Sequence, residues 1–93
     1  MRDGVLLLTN GDIALLRNVL VCKMNVFIVY QRFSFKKSLY AYPIDSSDHN
    51  IFSVGKPSER LHVSELDVVV RKCICLPVKE STEYAVIPFA HKD

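Results

Sequence analysis

Cys22, Cys73 and Cys75, with His49, His62 and His91, are the side chains best suited to metal or nucleophile chemistry. A structural zinc site needs about four converging ligands. Cys73-Ile74-Cys75 on a strand lacks the turn that a Cys-x-x-Cys knuckle provides, and the histidines are scattered. Two cysteines two apart on one strand face are also poorly placed to bond each other, and an odd number fits a reducing compartment. The cysteines therefore read as small buried apolar groups. Cys–His catalysis would need surroundings that lower a thiol pKa; Arg71 and Lys72 precede Cys73, but Lys72 points to the opposite face.

Other catalytic signatures are missing. Gly4, Gly11 and Gly55 are far apart and turn-like, so no phosphate-binding loop forms. No serine sits in a nucleophile elbow. Asp45, Asp48 and Glu80 fall in turns, as solvated loop carboxylates do. A non-enzymatic chain without metal or cofactor is expected.

One concentration of side chains could make a ligand surface: Tyr30, Arg32, Phe33, Phe35, Lys36, Lys37, Tyr40 and Tyr42. Aromatic groups beside cations form peptide grooves, or stack the bases of single-stranded nucleic acid. The competing role is to fill the mouth of a small barrel. Elsewhere the basic residues are dispersed and the net charge is only +2, a weak nucleic-acid signal that surface lysines explain.

The elements that must position these residues are strands. Val68–Val78 and Tyr84–Ala90 read as the arms of a long terminal hairpin about the loop Lys79–Glu83, rich in branched and aromatic residues. Pro77 and Pro88 cannot donate to a ladder and belong at strand ends or bends. Both arms are apolar on both faces, as in a strand covered on two sides or one running round a small barrel. Val5–Leu8 and Ile13–Arg17 flank Asn10-Gly11, a type I′ hairpin signal. Asn18–Cys22 continues or restarts that strand. Lys23–Asn25 reverses the chain into Val26–Phe33, giving a meander.

Phe35–Tyr40 reads as a loop with at most one helical turn, placing Phe35, Leu39 and Tyr40 over a barrel opening. Asp45–Asn50 is a polar turn. Ile51–Val54 and Leu61–Val63 are short strands separated by a turn at Gly55–Ser58. Ser64–Asp67 reads as one helical turn capped by Ser64.

With 93 residues and 49% hydrophobic content, the chain has room for one domain and one core. The expected fold is all-β, a small antiparallel, partly open SH3-like barrel over residues 1–93 with at most one-turn helices. No apolar run approaches the roughly 18 residues of a membrane helix, and the start lacks the shape of a signal peptide. A soluble, intracellular chain, nuclear or cytoplasmic, is expected.

The segments GDIALLRNVLV, YQRF, LYAYPIDSSDHNIFSV, LHVSELDVVVRKCICLPV and YAVIPFAH resemble the C-terminal β-rich region of uncharacterised transposon-derived animal proteins. That resemblance runs from Gly4 to His91. It carries no activity with it, and the upstream zinc-finger or transposase-remnant portion is absent. The family's usual Leu-Leu-His ending is Phe89-Ala90-His91 here. The resemblance implies an accessory interaction domain of a mobile-element protein. The expected role is protein or peptide binding, through a barrel edge or the Phe33–Tyr42 surface. The alternatives are nucleic-acid binding by the same surface and a structural dimerisation unit.

Overall fold

A computed structural model describes residues 2–78 and 81–89, and its first reversal shows how local chemistry shapes the sheet. Strands β1 (Arg2–Leu8) and β2 (Ile13–Cys22) are antiparallel, with Val5 opposite Leu15 and Leu7 opposite Ile13. The Leu8 N–H donates to Asp12 O and the Gly11 N–H to Leu8 O, both at 2.9 Å. Only Gly11 is left-handed, with φ 87°. The connection is thus a three-residue loop closed by glycine, not the expected type I′ turn, which needs positive φ at Asn10 as well. Asn10 acts through its side chain instead, Oδ1 accepting from Asp12 N–H at 3.0 Å.

The remaining strands are β3 (Asn25–Phe33), β4 (Lys36–Ser38), β5 (Phe52–Val54), β6 (Pro57–Glu65), β7 (Val69–Pro77) and β8 (Tyr84–Pro88). All pair antiparallel in one eight-stranded sheet of order β4-β5-β8-β7-β1-β2-β3-β6. The chain is all-β, and the sheet curls into a partly open barrel.

Closure comes from two bent runs of chain. β3 passes into β4 through Ser34 and Phe35, and β5 into β6 through Gly55 and Lys56. These corners bond each other: Ser34 N–H donates to Lys56 O at 2.7 Å and Gly55 N–H to Phe35 O at 3.3 Å. The β3–β4 and β5–β6 runs therefore lie side by side throughout, although β5 and β6 fall at different ends of the strand order. Gly55 is required at this corner, because a Cβ there would meet Ser34 Oγ and the Phe35 ring.

The inner core gathers Val5, Leu7, Ile13, Leu15, Phe52, Val54, Cys73, Cys75 and Val86. On the other face of β1–β3, a second cluster holds Leu6, Leu8, Ala14, Ile28 and Tyr30, with Val68 and Val69 packed against it. Period-two alternation in β1 feeds both clusters, odd residues inward and even residues outward.

Several local expectations change. Lys36–Ser38, expected in a loop, is a strand, because its backbone pairs with Phe52–Val54. The expected short strand Leu61–Val63 runs from Pro57 to Glu65, absorbing Pro57 and Ser58 from the expected turn. Ser64 lies in β6 and caps nothing; the helical turn is Leu66–Val68, with Glu65 at its N-terminus and no side-chain cap. The Asp45–Asn50 turn is a 3-10 helix, Ser46–His49, capped by the Asp45 carboxylate on Ser47 N–H at 3.0 Å. β7 is buried only on its cysteine face, since Val70 and Leu76 are exposed. Pro77 pairs with Tyr84 beside the turn and Pro88 with Cys73 at the open end. Lys79, Glu80, Ala90 and His91 lie outside the described residues.

Candidate functional site

The eight residues expected to share one surface are divided: Arg32, Phe33 and Lys36 line one small pocket with Asp12 and Ile13, and the others lie elsewhere. Tyr30 is buried in the second core cluster, its ring stacked on His62 with centroids 5.5 Å apart. Phe33 packs against the inner cluster. Phe35, Lys37, Tyr40 and Tyr42 belong to the β4 strand and the loops flanking it, where Tyr42 is 88% exposed.

The cations of the set are already engaged within the fold. Arg32 pairs with the Asp12 carboxylate. Lys36 Nζ donates to Gly11 O at 2.8 Å and lies 4.5 Å from the Phe52 ring centroid. Lys37 sits 3.4 Å from the Glu83 carboxylate and 5.5 Å from the Phe35 ring. Buried Ser53 donates to the same carboxylate at 2.5 Å. That hydroxyl bond, helped by Lys37, holds Glu83 below the usual carboxylate range. Asp45 is lowered for a similar reason, chiefly by the Ser38 hydroxyl and then by Ser47. These contacts tie loops to strands and pair two of the three cations, Arg32 and Lys37, with carboxylates.

Of the cysteines, Cys73 and Cys75 are buried and Cys22 is exposed. Burial pushes the Cys73 thiol up to about 11, with a smaller contribution from Cys75. That is opposite to what a nucleophile needs. Among the described residues, no three His, Cys, Asp or Glu side chains converge as a metal site. No helix among them is long and apolar enough to cross a membrane.

A different surface emerges at the other margin of the sheet. Among the described residues, β6 pairs with β3 alone. Its His62 and Ser64 face the second cluster, where the Ser64 and Tyr30 hydroxyls lie 3.2 Å apart. Its Leu61 and Val63 face the other way and are 56% and 59% exposed. In register beside them stand Gln31 and Val29 of β3, and one row further Leu20 of β2 opposite Phe27. Leu20 is also exposed. This is the inner face of the barrel, continued past the bulge between Leu16 and Asn18 onto strands whose Leu20, Leu61 and Val63 are exposed.

At the C-terminal end of β6 lies an open notch of about 340 Å³, lined by Met24, Asn25, Val26, Glu65, Leu66 and Asp67. Neither Glu65 nor Asp67 has an ion pair among the described residues.

The alternation Leu61-x-Val63 between charged residues was visible in the sequence as a short strand. Its place at a sheet margin was not, because the partner residues Gln31 and Val29 lie 30 and 34 positions earlier and the margin is set by the closure at Gly55.

A family model described as a domain of unknown function (DUF8592) matches residues 1–89. No curated protein and no solved structure matches the chain.

Proposed function

We propose, for a chain that belongs to the DUF8592 family, that it is a protein-interaction module which accepts an extended peptide as a further strand on β6. The observation that carries this reading is the exposed Leu61–Val63 pair on a nine-residue strand with one backbone margin unpaired among the described residues. Such a margin is a template for strand addition: main-chain bonds supply affinity and alternate side chains supply selectivity.

The opposite margin supports the contrast. β4 is three residues long and two of them are lysines, the usual protection of a sheet edge. The nucleic-acid alternative is weakened because Arg32, Lys36 and Lys37 have partners within the fold. Derivation from a mobile element is proposed on sequence resemblance alone.

The test is a titration of a labelled peptide alternating leucine or valine with serine, followed by fluorescence anisotropy. Saturable binding is expected, and the double variant Leu61→Lys, Val63→Lys should lose it while keeping its melting temperature. Undiminished binding by that variant, or no binding by the native chain, would overturn the reading.

A further inference from the structure

We infer that the strand accepted by β6 carries a lysine or arginine that seats in the Glu65–Asp67 notch, with two apolar residues facing Leu61 and Val63. This rests on the strand-addition reading and adds the chemistry of the partner to it.

The notch has the composition that a long basic side chain fits. Met24, Val26 and Leu66 contribute apolar lining, and Glu65 and Asp67 contribute acidic lining. A lysine or arginine lays its methylene stem on apolar surface and keeps its charged head among polar groups. Met24 is 97% exposed, so this apolar wall is open to solvent. Glu65 also lies on the Leu61–Val63 face, opposite Phe27 in a regular stretch of the ladder. A strand that covers the apolar pair is thereby directed to the notch by its next residue but one.

A second acid stands at the other end. Glu59 is exposed and in no ion pair among the described residues, next to exposed Arg60, within the stretch where the β3–β6 register shifts between Gln31 and Phe33. The regular part of the accepting edge is apolar at Leu61 and Val63 and acidic at Glu65.

A second copy of the chain does not supply the complement. Antiparallel pairing of β6 with itself about His62 sets Leu61 opposite Val63, but brings Glu59 of one copy beside Glu65 of the other. Like charges across a strand pair are destabilising. Centring the pair on Val63 instead puts Leu61 opposite Glu65, and centring it on Leu61 puts Glu59 beside Val63. Charge complementarity selects a different chain, with the order basic, x, apolar, x, apolar along one face.

The experiment compares three synthetic peptides of that pattern, identical except for lysine, serine or glutamate at the basic position. On the native chain, lysine should bind best. The preference over serine should be about two-fold to thirty-fold if it comes from one or two cross-strand charge pairs. It should shrink with added salt. The double variant Glu65→Lys, Asp67→Lys, checked for an unchanged melting temperature, should reverse the order in favour of glutamate. Equal binding of all three peptides, or an order the double variant does not alter, would overturn the inference and leave strand addition standing. Binding of none of them would overturn both.

Discussion

The rings of Tyr30 and His62 stack at 5.5 Å and 22°, across the one ladder that holds β6 in the sheet among the described residues. With the Tyr30–Ser64 hydroxyl contact at 3.2 Å, this fastens β6 by one face and one backbone side. The other face and the other side are the ones the proposed peptide strand would use.

That fastening has a measurable strength. Tyr30→Phe keeps the ring and removes the contact with Ser64, so it should cost about 0.5–1.5 kcal/mol. Tyr30→Ala also empties a core position and should cost about 3–5 kcal/mol. Urea unfolding of the two variants checks the order, and equal losses would mean that the hydroxyl, not the ring, anchors the strand.

Ser46 should be less replaceable than its size implies. It is fully buried, accepts from Leu39 N–H at 2.8 Å and Tyr40 N–H at 3.1 Å, and donates to Ile51 O at 2.8 Å. Ser46→Ala leaves three backbone groups short of a partner, and each one left buried and unsatisfied costs about 1–3 kcal/mol. A loss below that range in chemical denaturation would show that water reaches the loop.

Acid should loosen the β4–β5–β8 corner. Glu83 and Asp45 titrate below their ordinary values in the folded chain, through the hydroxyls of Ser53 and Ser38 first. A carboxyl depressed on folding stabilises above its unfolded pKa, and that stability is lost as pH falls through the folded value. The melting temperature should therefore drop on acidification through the carboxylate range. Ser53→Ala should flatten the drop, and an unchanged slope in that variant would remove Glu83 from the account.

Thiol labelling of the native chain should modify Cys22 and spare Cys73 and Cys75. Cys22 is exposed, the other two are buried, and the Cys73 thiol is raised to about 11. Mass spectrometry after brief alkylation near neutral pH should show one label, rising to three in denaturant. Early modification of Cys73 would mean that β7 opens in the native state.

Much of the fold was legible in the sequence, for physical reasons that differ by element. Val26–Phe33 and the terminal hairpin carry dense branched and aromatic runs bounded by turn residues, which specify strands locally. Pro77 and Pro88 marked their own places at strand ends. Lys36–Ser38 was not legible, because its pairing with Phe52–Val54 comes from the closure of the barrel and not from its own side chains. Tyr30 looked like a surface aromatic because composition does not say which face of a strand is covered; Leu6, Leu8, Ala14 and Ile28 cover it. Leu61–Val63 was legible as a short strand, but the exposure of its side chains was not, for the same reason.

Amide hydrogen exchange of β6 tests the central claim most directly. With a saturating alternating leucine–valine peptide, outward amides between Pro57 and Glu65 should gain protection, while those of β4 stay as they are. Protection appearing instead at Lys36–Ser38 or through the Phe35–Tyr42 segment, with β6 unchanged, would contradict the account.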